Sequence, residues 1–241
     1  MHSSGGPFSN MTRNLAQLRS SPSSWLWFAI IIVVQLLVES AGGVDLSGKW
    51  FETFGLSRDG FFAGNIWQIL SYGFLHGNWT HAGVNALFIL LIGSRIEFML
   101  GWRTMMCVTF VGVIAGGFWH LLIGVGLLVG LSGGCLALLL LLTTLSPQSR
   151  MFPLAVSAKN LGLGILLAEL VLALMNPALA FPGFENAGKT LVAHGMGSWF
   201  QVGHACHFGG ALAGWIIGRW ILWPRVSLDR LRRDRARREA K

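Results

Sequence analysis

Charged side chains are scarce in this chain. Asp, Glu, Lys and Arg together make up only 12% of its 241 residues, whereas 53% are hydrophobic. In a soluble globular domain about a quarter of the residues are charged. The composition therefore favours a membrane protein over a soluble one. The length suits one bundle of about six spans with loops, because a span takes ~20 residues.

Cysteine is also rare, and its placement excludes a disulfide framework. The chain has 3 cysteines, an odd number, and no two of them form a Cys-x2-Cys pair. Cys107, Cys135 and Cys206 lie in or beside apolar segments, where a free thiol behaves as a small buried apolar group. Buried thiols without a partner are therefore expected.

Long apolar runs are abundant and predict an all-α, polytopic membrane fold. Six segments are long or apolar enough to be drawn as spans: 24–42, 80–99, 104–127, 131–146, 154–176 and 204–223. The chain thus divides into an N-terminal segment 1–23, a membrane domain 24–223 and a basic tail 224–241. The first segment could instead be a cleaved signal peptide. An uncleaved span is preferred, because five spans would leave the tail on the wrong side.

Basic residues predict the topology. From Arg225 to Lys241 there are eight basic and three acidic residues. Such a tail could attract nucleic acid, but next to a span it is more typical of the cytoplasmic side. The remaining Lys and Arg favour the N-terminus and the second and fourth loops. The prediction is N-in and C-in, with no nucleic-acid partner.

The first loop, 43–79, is long and rich in aromatic residues. Glycine and charge interrupt it too often for a further span. We expect a substructure lying in the outer interface of the bilayer. A small solvent-exposed domain is the alternative.

Ser132 lies between glycines in "VGLSGG", at the start of the short fourth segment. It could simply allow close helix packing. A serine hydroxyl becomes a nucleophile only when a positioned base takes its proton, and histidine suits that task. The question is therefore whether a histidine lies at the same depth.

The sixth segment supplies such a histidine. His207, Gly210, Gly214 and Gly218 share one helical face, and glycines spaced by four let a neighbouring backbone approach closely. Whatever packs on this face lies beside the imidazole. Under the predicted topology both Ser132 and His207 are at the outer end, so we predict a Ser–His dyad.

Donors for a developing oxyanion are found in the second segment. His81 and Asn85 are one helical turn apart and share a face. Together with the Ser132 backbone N–H they are candidates for stabilising negative charge on a substrate oxygen. For His76 the alternative to a role in the site is a hydrogen-bonded polar residue at the outer membrane interface.

Two acidic residues within the spans were considered as a third catalytic member. Glu97 lies between Gly93 and Gly101 at spacings of four, which indicates a structural contact with loop amides or a base. Glu169 is expected near mid-membrane or the cytoplasmic half. Neither is predicted to reach the histidine.

A metal or haem site is a rival interpretation of the histidines. His204 and His207 are three apart, and other segments contribute His76, His81 and His120. This interpretation gives Ser132 and Asn85 no role, so it is not preferred.

Four motifs together resemble the rhomboid intramembrane serine proteases. "HGNWTHAGVN" (76–85) is similar to the family's His-x4-His-x3-Asn element, and "GSRIEFMLG" (93–101) to its Gly-x3-Glu-x3-Gly element. "GLSG" (130–133) resembles its Gly-x-Ser-Gly motif, and "HFGGALAG" (207–214) its His-x2-Gly-x3-Gly motif. Each motif alone is weak, but the four occur in the family's order over about 50–223.

The resemblance implies a fold, a reaction and residue roles. It implies a six-helix bundle that hydrolyses peptide bonds of single-pass transmembrane substrates in the lipid bilayer, without metal or cofactor. The compact layout is typical of a bacterial inner membrane protein. Substrate would enter past the fifth span and the loop 177–203. The implied roles are nucleophile for Ser132, base for His207, oxyanion donors for His81, Asn85 and Ser132 N–H, and structural roles for His76, Glu97, Gly130, Gly133, Gly210 and Gly214.

Two positions depart from the resemblance. Leu136 stands where many members have an aromatic residue against the histidine, and Gln68 follows Trp67 where many have arginine. Neither removes a catalytic group. An inactive rhomboid-like protein that binds helices without cutting them is the main alternative. A transporter would require an internal repeat, and none is seen.

Overall fold

Helices form most of the structure. The computed structural model describes residues 17–43, 48–151 and 156–223, together with 233, 235 and 237. Within these residues six long helices carry the fold, and the predicted all-α class is confirmed. They are α1 (Pro22–Ser40), α2 (Trp79–Leu100), α3 (Trp102–Ile123), α4 (Ser132–Leu145), α5 (Ala158–Leu174) and α6 (His204–Ile221). The predicted tail and most of the predicted N-terminal segment lie outside the described residues.

Three helices are long and apolar enough to cross a membrane, namely α1, α2 and α3, while α4 is a shorter apolar helix. The protein is therefore a helical membrane protein, and the count of six spans stays a prediction. Helix α4 is the centre of the bundle, because it packs on α3, α5 and α6. Its side chains are buried almost all round, as expected for a helix that is apolar on every face.

Glu97 joins the ends of two helices far apart in sequence. Helix α1 begins at Pro22, and its first N–H groups have no partner within the helix. The Glu97 carboxylate accepts from the N–H of Ser23 at 3.0 Å and from the N–H of Ser24 at 2.9 Å. The Ser24 hydroxyl adds a third bond at 2.8 Å. Both oxygens of this buried carboxylate therefore accept hydrogen bonds at the N-terminus of α1, where negative charge is favoured.

Glycine separates α2 from α3. Gly101 has a φ of +84°, a conformation that side chains disfavour, and it is the one residue between the two helices. Within α2 the turn Ile89–Gly93 is a π-helix. A Cβ at Gly93 would come within 2.8 Å of the terminal methyl group of Met105 in α3, a flexible group that could move aside.

Short elements fill the connections. The first loop contains helices Gly48–Phe54, Arg58–Phe62 and Gln68–Ser71 and a 3-10 turn at Tyr72–Phe74. Between α4 and α5, Arg150–Met151 pairs antiparallel with Val156–Ser157. The segment 177–203 is also largely helical, with Glu185–Leu191, a π turn at Val192–Met196 and a 3-10 turn at Gly197–Gln201.

Gln68 ties the first loop together. Its side chain is fully buried. Its amide nitrogen donates to the Glu52 carbonyl at 2.8 Å, and its amide oxygen accepts from the Ser57 N–H at 3.3 Å. The neighbouring Trp67 indole donates to the Thr53 carbonyl at 2.9 Å. The glutamine at this departure from the family pattern therefore has a defined structural task.

Candidate active site

Glycines bring α6 directly against the backbone of α4. A Cβ at Gly210 would overlap the Gly133 carbonyl, and one at Gly214 would overlap the Ala137 carbonyl. Only glycine permits such an approach. Because Gly133 follows Ser132, and His207 lies one turn before Gly210, this contact brings the first turns of α4 and α6 together.

Ser132 and His207 line the same cavity, which has a volume of about 670 Å³. His81 and Asn85 line it as well, so the four residues predicted for catalysis are brought together. Most of the other lining residues are apolar, including Val84, Phe88, Leu128, Leu136 and Leu172. Both Ser132 and His207 are half-buried. Among the described residues no hydrogen bond joins their side chains; hydrogen bonds between catalytic groups often tighten only in the complex with substrate.

The chain turns sharply into α4 at Gly130. This residue has a φ of +114°, and a Cβ on it would come within 2.6 Å of the His81 ring. Its N–H donates to the Tyr72 carbonyl at 2.9 Å. Glycine is thus required here both for the backbone conformation and for the close approach of His81 to the turn before Ser132.

His76 supports the same turn from below. It is fully buried, and its Nε2 accepts from the Leu131 N–H at 3.5 Å. Burial, and then the neighbouring His81, lower the pKa of His76 to about 3. The neutral ring can therefore act as an acceptor at neutral pH. The His76 and His81 rings meet edge to face, with centroids 5.0 Å apart.

Asn85 offers a free donor to the cavity. The residue is 3% exposed, and its Oδ1 accepts a weak bond from the Cys135 thiol at 3.6 Å. Its Nδ2 is buried and has no hydrogen-bond partner among the described residues. An unsatisfied buried donor costs free energy, and in a cavity it marks a place where a ligand oxygen would be favoured.

Glu169 contradicts the expectation that no acidic side chain reaches the histidine. Its Oε1 lies 3.2 Å from His207 Nδ1, and its Oε2 lies 2.6 Å from His204 Nδ1. The expectation was wrong because it assigned depth from position in the segment alone. The carboxylate within an otherwise apolar span indicated that Glu169 has a partner, but not that the partners are His204 and His207.

Glu169, His204 and His207 also form a group that has the donor types for a metal ion. Their donor atoms lie within 4.8 Å of one another. Two ligands on one tetrahedral zinc ion lie about 3.3 Å apart, given bonds of roughly 2.0–2.2 Å. The 2.6 Å between His204 Nδ1 and Glu169 Oε2 is shorter, and it fits a shared proton better. His76, His81 and His120 do not join this group.

Leu136 has no aromatic ring to pack against His207. It lies in the cavity wall one turn after Ser132 and is half-buried. The aromatic neighbour of His207 is instead His204, with ring centroids 6.2 Å apart at nearly a right angle. His207 is therefore held by a hydrogen bond and an edge contact, where the resemblance implied stacking.

The fold and the site define a helical membrane protein with a serine and several histidines gathered in one cavity. Residues 63–225 match the family model of the Rhomboid domain. The chain belongs to the rhomboid family, which generally comprises intramembrane serine proteases that act on transmembrane substrates. A search of curated proteins finds no match.

Proposed function

We propose that the protein is an active intramembrane serine endopeptidase, with Ser132 as nucleophile and His207 as general base. One observation carries the proposal: the serine, the histidine and two candidate oxyanion donors line a single cavity. Loss of the serine or the histidine would be typical of an inactive relative, and Ser132 and His207 are both present. The half-buried serine leaves room for a substrate carbonyl beside it.

The proposed reaction follows acyl transfer. His207 takes the Ser132 hydroxyl proton while Oγ bonds to the scissile carbonyl carbon. The oxyanion accepts hydrogen bonds from the Ser132 N–H, Asn85 Nδ2 and His81. The C–N bond then breaks, and His207 returns the proton to the leaving amine. Water, deprotonated by the same histidine, hydrolyses the acyl-enzyme to release the acid and free serine.

The proposed substrates are single-pass transmembrane proteins cut near the outer membrane face. Six spans with both termini inside would put the cavity at the outer side, since α4 begins and α3 ends there. A helix must open locally before a carbonyl can be reached, because its backbone groups are paired within the helix. We therefore expect helix-destabilising or small residues near the cleaved bond. A bacterial inner membrane suits this arrangement.

Replacing the nucleophile tests the proposal. In liposomes with a reporter carrying one transmembrane helix, Ser132→Ala is expected to abolish cleavage. The matched control is Ser146→Ala at the opposite end of α4, which should cleave like the unaltered protein. Cleavage by Ser132→Ala at the normal rate would refute the assignment.

A serine-directed fluorophosphonate separates the protease from an inactive helix-binding relative. An activated Ser132 should be labelled, and His207→Ala should lose the label. A protein that only binds helices would leave Ser132 unlabelled. Ser132→Ala, which should still fold, gives the background level of labelling.

A further inference from the structure

We infer that Glu169 positions His207 and fixes which of its ring nitrogens carries the proton, with His204 holding the carboxylate in place. The inference rests on the proposed function, because it assigns a partner to the proposed base. In place of the expected dyad, it gives a chain of contacts that runs from His207 on α6 to Glu169 on α5 and then to His204 on α6.

The order of protons along this chain follows from the acceptors. The Trp199 carbonyl lies 2.9 Å from His204 Nε2 and can only accept, so Nε2 carries a hydrogen. One further proton then lies between His204 Nδ1 and Glu169 Oε2, at 2.6 Å. Whether that proton belongs to the imidazole or to the carboxyl group, the other oxygen, Oε1, remains an acceptor.

The tautomer of His207 follows in turn. Because Oε1 accepts, the hydrogen bond of 3.2 Å requires the proton to be on His207 Nδ1. The lone pair of the neutral ring is then on Nε2, at the other edge of the imidazole. This is the nitrogen that a general base must present to a serine hydroxyl. The wrong tautomer would present an N–H to Ser132 and could not take its proton.

Partial burial strengthens these contacts. The exposed fractions of the side chains are 18% for Glu169, 16% for His207 and 10% for His204. Hydrogen bonds to an ionised or proton-sharing group in such surroundings are stronger than in water. His204 also uses both of its ring nitrogens and so restricts rotation of the carboxylate.

The contact between Glu169 and His207 provides a restraint on the imidazole that Leu136 cannot provide. An aliphatic side chain one turn after Ser132 cannot stack against an imidazole. Without another restraint, His207 at the start of α6 would keep the freedom to rotate about its side-chain bonds, and ordering it would cost entropy. Glu169 supplies that restraint from a neighbouring helix.

Two variants separate the tautomer from the charge. Glu169→Leu removes every acceptor, and we expect fluorophosphonate labelling of Ser132 and kcat to fall about 10²–10³-fold with KM nearly unchanged. Glu169→Gln can accept from His207 through its oxygen and donate to His204 through its nitrogen. It keeps the tautomer and should lose only about 10-fold.

The matched control loosens α5 without touching the carboxylate. Ile165 lies one turn before Glu169 and packs against the buried cluster of Leu139, Leu140 and Ala211. Ile165→Ala should lower the unfolding temperature but leave labelling of Ser132 within about twofold. A merely structural Glu169 would make Glu169→Leu resemble this control.

Nitrogen-15 NMR of histidine-labelled protein gives the direct readout. His207, assigned by its loss in His207→Ala, should be protonated on Nδ1 in the unaltered protein and in Glu169→Gln. It should shift toward protonation on Nε2 in Glu169→Leu. His204→Leu, which frees one carboxylate oxygen, should lower labelling about 10-fold.

Three outcomes would overturn the inference. They are an unchanged tautomer in Glu169→Leu, normal labelling of that variant, and loss of labelling when the unaltered protein is treated with a chelator and restored by zinc. The last result would assign the three residues to a metal. Failure of the proposed function differs from all three. The unaltered protein would then leave Ser132 unlabelled, or Ser132→Ala would still cleave the reporter, whereas the His207 tautomer is measured on the resting protein whether or not it cleaves.

Discussion

Glu97 of α2 and Glu169 of α5 both lie within apolar helices, but their carboxylates have different kinds of partner. Glu97 of α2 is 6% exposed and accepts three hydrogen bonds from the first turn of α1. Glu169 of α5 is more exposed and contacts two imidazoles on α6. Each carboxylate is satisfied, as burial requires.

The difference between them is in the donors. Main-chain N–H groups do not give up their protons, so the hydrogen bonds to Glu97 have a single arrangement, and we expect them to affect only stability. A neutral imidazole can carry its proton on either ring nitrogen, so the contacts with Glu169 bear on which nitrogen of each histidine holds the proton.

Glu97→Leu should have the largest effect on stability. It leaves two N–H groups and one hydroxyl of α1 without partners, at ~1–3 kcal/mol each. We expect the free energy of unfolding in detergent to fall by about 4 kcal/mol, while cleavage per folded molecule is retained. The control is Glu185→Leu, whose half-exposed ion pair with Lys189 should be worth less than ~1 kcal/mol. A specific loss of cleavage in folded Glu97→Leu would remove the contrast with Glu169.

Asn85→Ala should have the next largest effect, and it acts on the reaction. Removing one oxyanion donor typically lowers kcat about 10²-fold. We expect kcat to fall by that amount with KM and unfolding temperature little changed, measured on the reporter. Val84→Ala removes a cavity-lining side chain without removing a donor, and it should cleave nearly normally. Equal losses in both variants would count against the oxyanion role.

Gln68→Leu should have the smallest effect of the three. It breaks the three part-buried hydrogen bonds of the Gln68 amide with Glu52, Thr53 and Ser57, which predicts a loss of about 2 kcal/mol in unfolding free energy. Labelling of Ser132 in the folded fraction should persist, because Gln68 lies outside the cavity lining. Trp67→Phe, which loses one exposed bond, should change stability by less than ~1 kcal/mol. If Gln68→Leu folds normally, the loop is held by other contacts.

Much of the site was predictable because its residues occur in motifs with helical spacing. His81 and Asn85 share a face by periodicity, and the glycines after His207 predict close contact with a neighbouring helix. The resemblance to rhomboid proteases, carried by those motifs, is confirmed by the family match. The roles of Ser132, His207, His81 and Asn85 stay predictions until the variants are measured.

Sequence alone determined the all-α membrane class and the approximate bounds of the six long helices, because apolar length and glycine spacing are local properties. It could not place Glu169, which is 35 residues from His204 and 38 from His207. Which face of α5 meets α6, and at what depth, depends on how the two helices pack. Only the tertiary structure decided that the carboxylate meets both histidines. The sequence already showed that Leu136 replaces an aromatic residue, but only the tertiary structure showed that His207 contacts Glu169.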